Sequence, residues 1–94
     1  MKDPRDDLLR ELRTPAVEDY LKTVYQLQRQ YDPVPTSVLA EALRVKPPSV
    51  TEMAKKLTEH GLLDYEKYRG IRLTEPGRRI ALEVIRHHRL LEMY

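Results

Sequence analysis

Residues 36–61, TSVLAEALRVKPPSVTEMAKKLTEHG, read as two short amphipathic helices with a three-residue break between them. Val38, Leu39, Ala42 and Leu43 form one apolar stripe, and Val50, Met53, Ala54 and Leu57 form another, at the spacing of a helix face. Pro47 and Pro48 cannot sit inside a helix but suit its first turn, so they start the second one. Gly61 suits the left-handed residue that closes it. With the apolar stripe inward, Lys46, Ser49, Thr51, Glu52, Lys55 and Lys56 face out. That arrangement is a helix-turn-helix whose second helix offers its N-terminal side chains to a DNA major groove.

The flanking sequence extends the pattern. Thr14-Pro15 is a helix start, with threonine as N-cap and proline at the first helical position. The helix behind it turns Val17, Tyr20, Leu21, Val24, Tyr25 and Leu27 or Gln28 inward and stops before Asp32-Pro33. Pro35-Thr36 opens the next helix, with threonine as its cap. After Gly61 the apolar period changes from 3.6 to 2: Leu63 and Tyr65, then Ile71 and Leu73, alternate with polar residues. Between them Lys67-Tyr68-Arg69-Gly70 makes a hairpin turn whose glycine supplies a positive φ. Thr74-Glu75-Pro76-Gly77 starts a last helix that places Ile80, Val84, His88 and Leu91 along one stripe, flanked by Ala81 and Ile85. The expected fold is mainly α with a small β-hairpin: a winged helix-turn-helix of three helices and a two-stranded wing, followed by a further helix.

Three segments follow from this reading. Residues 1–13 are a charged arm in which Leu8, Leu9 and Leu12 can form a short amphipathic helix. Residues 14–74 are the winged helix-turn-helix. Residues 75–94 begin a helix that still carries apolar residues at Leu91, Met93 and Tyr94, as expected of a fragment of a longer protein or of an end completed by a partner.

Composition narrows the function. Ninety-four residues make one small domain with a modest core. With no cysteine there is neither a disulfide framework nor a thiolate metal ligand, which fits a reducing cytoplasm. No apolar run approaches the roughly 20 residues needed to cross a bilayer, and the charged start is no signal peptide. The net charge is only +2, but residues 36–72 hold seven basic against five acidic side chains, so the excess sits on the helix-turn-helix and wing. The three glycines are far apart and make no phosphate loop, and no histidine lies in a nucleophile motif, so no enzyme and no small organic substrate are expected. His88 and Glu92, four apart on one helix face, can chelate a divalent ion or form a surface ion pair. Glu18 and Asp19 are two more candidate oxygen ligands, or acids favoured in a helix's first turn.

Six segments in order carry a more specific likeness: VEDYLKTVY at 17–25, AEAL at 40–43, PSVT at 48–51, LDYEKYRG at 63–70, LTEPG at 73–77 and HRLLE at 88–92. Together they resemble the diphtheria toxin repressor family of metal-activated transcriptional repressors, from about residue 15 onward. The resemblance implies a helical dimerisation domain after the winged helix, a homodimer on a palindromic DNA operator, and repression of metal-uptake genes. It implies metal binding through Asp19, His88 and Glu92, with further ligands beyond residue 94. The aspartate, where the iron-sensing branch has methionine, and the wing from Tyr65 to Gly70 resemble the manganese branch, making Mn²⁺ the expected cofactor and Fe²⁺ or another divalent transition metal the alternative. Where one manganese-branch pattern places a second acid, this chain has Lys22.

The expected DNA-facing residues are Thr36, Lys46, Pro48, Ser49, Thr51, Glu52, Lys55 and Lys56 on the helix-turn-helix, and Lys67, Tyr68 and Arg69 on the wing. Two other readings are a metal-independent winged-helix regulator and a winged helix used for protein–protein contact. The outward lysines and Arg69 count against the second.

Overall fold

The computed structural model describes the backbone of residues 13–92 and the side chains as far as His88. The amphipathic turn expected through Leu8, Leu9 and Leu12, and the side chains of Leu91, Glu92, Met93 and Tyr94, lie outside the described residues. The elements are α1 (Pro15–Leu27), α2 (Thr36–Leu43), α3 (Pro47–Glu59), β1 (Leu63–Glu66), β2 (Gly70–Leu73) and α4 (Glu75–Glu92). Among the described residues no helix is long and apolar enough to cross a membrane.

Helix α1 begins as its sequence dictates: the Thr14 hydroxyl accepts from the Val17 amide at 3.2 Å, and Pro15 fills the first turn. Val17, Tyr20, Leu21 and Val24 are buried. Helix α2 departs from expectation twice. Its N-cap is Pro35, with no side-chain cap, so Thr36 lies within the helix and not before it. The buried alanine is Ala40, while Ala42 is exposed. The two alanines stand about 200° apart around the axis, and in an eight-residue helix the apolar period alone cannot choose between them. Packing against α1 and α3 makes the choice.

The break between α2 and α3 is Arg44-Val45-Lys46. Arg44 takes the left-handed conformation (φ 59°), and the amides of Arg44 and Val45 bond back to the carbonyls of Glu41 (3.2 Å) and Ala40 (3.0 Å). This is a Schellman closure with arginine where glycine is usual. Helix α3 starts at Pro47 and Pro48, buries Val50, Ala54 and Leu57, and ends in a second such closure at Gly61 (φ 73°).

β1 and β2 pair antiparallel with Leu63 opposite Leu73 and Tyr65 opposite Ile71. The turn holds Lys67, Tyr68 and Arg69, and here too a non-glycine is left-handed, Tyr68 (φ 71°), alongside Gly70 (φ 136°). A third segment, absent from the sequence reading, joins the sheet: Val34 and Ile71 exchange backbone hydrogen bonds of 2.9 and 2.8 Å. The bridge is a single pair because Pro33 and Pro35 have no N–H to extend it. Gly70 lies so close to the Val34 carbonyl that a Cβ would collide with it. The wing base is tied down further by Arg72 Nε on Asp32 at 2.6 Å and by the Leu73 amide on the Gln28 side chain at 2.7 Å.

Thr74 caps α4 as expected, accepting from the Gly77 amide at 3.2 Å, and its hydroxyl donates to the Gly61 carbonyl at 2.6 Å. Ile80, Ala81 and Val84 join the core, and α4 packs most extensively on α1. The described core contains no buried charged side chain.

Its one deep polar contact is the Tyr20 hydroxyl, which donates to the Val50 carbonyl at 2.8 Å and ties α1 to the first turn of α3. Burial, reinforced by Tyr65, pushes the Tyr20 phenol well above its ordinary value. In the unfolded chain it ionises near pH 10. Above that pH the folded state holds a proton that the unfolded state has lost, so stability falls as pH rises. The expected slope from this group is about 1.4 kcal/mol per pH unit above roughly pH 10. Tyr20→Phe should remove that part of the slope while costing about 1 kcal/mol at pH 7 from the lost hydrogen bond. Urea titrations of both proteins from pH 8 to 11 measure it; parallel pH profiles would contradict it.

Candidate DNA-binding face and metal ligands

Helix α3 and its N-cap residue Lys46 project Lys46, Pro48, Ser49, Glu52, Lys55 and Lys56 into solvent, all exposed. The two starting prolines remove two amides, and the helix carries no side-chain cap, so the Ser49 hydroxyl is not used to close its own N-terminus. Thr51 differs from expectation. It is half-buried, and its hydroxyl donates to the Pro47 carbonyl at 3.3 Å, leaving only the oxygen lone pairs for a partner.

The wing stands beside this helix. Tyr68 at its tip is 94% exposed, so it is not packed on the hairpin. The Lys67 ammonium lies over its ring, 5.2 Å from the centroid, which presents cation and aromatic face as one unit. Arg69 is loosely paired with Glu66 at 3.6 Å and remains exposed. A cleft of about 210 Å³ separates the start of α2 from the wing, with Thr36 and Ser37 on one wall and Tyr68 and Arg69 on the other. The structure therefore brings Thr36 together with two of the wing residues expected to meet DNA, Tyr68 and Arg69.

The metal candidates are less gathered. Asp19 is exposed on α1, and one of its oxygens is held by the Lys22 ammonium at 3.2 Å. Glu18, the other acid of that turn, is engaged by Arg13, whose guanidinium also reaches Glu83 of α4 at 2.8 Å. His88 is exposed on α4, and the Glu92 side chain lies outside the described residues. Among the described residues no group of three or more histidine or acidic side chains is assembled. A carboxylate oxygen and an imidazole nitrogen are donors suited to a divalent transition ion, so Asp19 and His88 fit one by chemistry and fall short of it by number.

Sequence reasoning passed over Arg13, Arg44 and Val34. Arg13 sits just ahead of the Thr14 cap, Val34 between two prolines, and Arg44 where helix α2 must reverse without a glycine. The partners of Arg13 and Val34 lie far along the chain, so neither contact has a local signal.

Three helices packed with a fourth on one core, an exposed first turn on the second helix of the helix-turn-helix, and a basic hairpin at its side define a winged helix-turn-helix of the DNA-binding kind. Comparison with known proteins narrows the class. Residues 13–71 match the model of the iron dependent repressor, N-terminal DNA binding domain, and the chain belongs to that family. It is 44% identical over 81 residues to the HTH-type transcriptional regulator MntR of Oceanobacillus iheyensis (strain DSM 14371 / CIP 107618 / JCM 11309 / KCTC 3954 / HTE831), covering 86% of this chain and 55% of that protein. With MntR of Bacillus subtilis (strain 168) it shares 42% identity over 83 residues, 88% of this chain and 58% of the relative. Among solved structures it resembles ScaR with bound Zn²⁺ (TM-score 0.70, 40% identity, 83% of this chain and 36% of that one). It also resembles the manganese regulator SloR (TM-score 0.67, 39% identity, 82% and 36%). The chain thus spans a little over half the length of these MntR relatives. The family is one of DNA-binding regulators, not enzymes.

Proposed function

We propose that this chain is the operator-reading part of a manganese-responsive transcriptional repressor that acts in the cytoplasm as a homodimer on a palindromic site. The observation that carries the reading is the exposed first turn of α3 beside an exposed basic wing, in a chain of this family. Helix α3 enters the major groove with Ser49, Thr51 and Glu52 toward base edges and Pro48 toward a thymine methyl. Lys46, Lys55 and Lys56, with Thr36 at the cleft, meet the phosphates on either side. Lys67, Tyr68 and Arg69 take the adjoining backbone or minor groove.

The winged helix-turn-helix body runs from residue 14 to 74, behind an arm at 1–13, and residues 75–94 lead toward the surface where two copies meet. Asp19, His88 and Glu92 are the metal ligands contributed by this part of the protein, with Mn²⁺ favoured by the carboxylate at residue 19 and by the named manganese regulators it resembles. A bound divalent ion would supply a cross-link between α1 and α4, favouring the arrangement in which two copies of α3 are spaced for DNA. The genes controlled are those of metal uptake.

The test is a change of specificity. With a duplex selected from a randomised pool as operator, Thr51→Ala with Glu52→Ala should lower the ratio of operator to scrambled-DNA affinity by about tenfold or more. Most of that loss is assigned to Glu52, because the Thr51 hydroxyl proton is already used within the helix. An unchanged ratio would place base reading elsewhere.

A further inference from the structure

We propose that Lys22 is a tethered competitor for the metal at Asp19 and so sets the concentration of divalent ion at which this chain responds. The proposal rests on the reading of Asp19 as a metal ligand given above. One turn apart on α1, the Lys22 ammonium and an Asp19 carboxylate oxygen are 3.2 Å apart. The two partners differ in freedom: the Lys22 side chain is 22% exposed and the Asp19 side chain 55%. The lysine stem is therefore laid down on the protein with its charge delivered to the carboxylate, while the carboxylate itself remains open to solvent.

As an ion pair this contact contributes little to stability, because exposed pairs of this kind rarely exceed about 1 kcal/mol. Its consequence lies in what the carboxylate can do next. A divalent cation arriving at Asp19 must first displace the ammonium from the oxygen it needs. It must then sit with a fixed positive charge on a short tether nearby, and a doubly charged ion feels that repulsion twice as strongly as a monovalent one. Both effects lower affinity, and both fade as salt screens the charges. Lys22 also adds no donor of its own, since a protonated amine has no lone pair. The same residue thus subtracts from charge and from ligand count at one end of the proposed site.

The experiment is a titration of the chain with Mn²⁺, followed by the electron paramagnetic resonance signal of free Mn²⁺. Lys22→Met keeps the stem and removes the charge, and it should raise Mn²⁺ affinity by about tenfold at low salt, with the gain shrinking toward 1 M salt. Lys22→Arg should leave affinity within about twofold of the parent, because the charge returns. In an Asp19→Asn background the effect of Lys22→Met should vanish. Equal affinity of Lys22→Met and the parent, with Asp19→Asn weakened, would overturn the competitor role and leave the ligand role of Asp19 standing. An undiminished gain in the Asp19→Asn background would also overturn it, by showing a general charge effect. If Asp19→Asn itself binds Mn²⁺ as the parent does, the reading of Asp19 falls, and the proposal falls with it.

Discussion

Gly77→Ala is expected to destabilise this protein by about 2–3 kcal/mol, against the sign of the usual helix rule. An exposed glycine in a helix interior costs roughly 1 kcal/mol relative to alanine, so propensity alone forecasts a gain. The first turn of α4 is pressed onto the chain leaving α3, and a Cβ at residue 77 would run into the backbone carbonyl of Leu62. That carbonyl cannot swing aside freely, because it accepts from the Thr74 amide at 3.2 Å and Leu62 is itself buried. The added atom meets backbone, where no flexible side chain can yield. For a domain whose whole stability is on the order of 5–15 kcal/mol, the loss is a large fraction. Gly61→Ala provides the contrast: its φ of 73° is unfavourable for alanine, but nothing lies within 4 Å of the added atom. It should cost only about 1 kcal/mol. Urea unfolding of the two variants gives the comparison, and a Gly77→Ala protein as stable as the parent would contradict the close approach of α4 to the Leu62 carbonyl.

Lys67→Ala combined with Arg69→Ala should weaken binding to every duplex, operator and scrambled alike, by roughly 10- to 100-fold near 0.1 M salt. Each lost phosphate contact removes about 0.9 from the slope of log affinity against log salt, so the slope should become shallower by about two units. The structure adds to the expected effect. Arg69 shares its charge with Glu66 at 3.6 Å, and removing the arginine leaves a carboxylate facing the phosphates unopposed. Lys67 lies over the Tyr68 ring, so its removal also frees the aromatic tip of the wing. Glu66→Gln in the double variant should recover part of the affinity. Fluorescence anisotropy on operator and scrambled duplexes across a salt series measures all three quantities. A loss confined to the operator would make the wing a reader of sequence instead of a backbone clamp.

Much of the architecture was legible in residue order because its signals are local. Thr14-Pro15 and Thr74 mark helix starts through hydrogen bonds made within three residues of the cap. Pro47-Pro48 and Gly61 bound α3 for equally local reasons, and the change from a 3.6 to a 2 period locates the wing. The outward set on α3, Thr51 excepted, follows from the apolar stripe on its other side. The resemblance to metal-activated repressors could be read because it rests on short ordered segments, and the family match bears it out.

What residue order left open are choices between positions with equal local merit, and contacts between distant segments. Ala40 and Ala42 are alike by propensity, and only the neighbours of α2 decide which is buried. Thr36 resembles a cap, but the chain enters the helix one residue earlier, at Pro35. The Val34–Ile71 bridge, the Arg13 contact with Glu83 and the Gly77–Leu62 approach join residues far apart in the chain or carry no pattern of their own. Lys22 and Asp19 are neighbours on any helix. That the ammonium is held on the carboxylate depends on how α1 lies on the core, because burial of the lysine stem is a property of the packed protein and not of the helix alone.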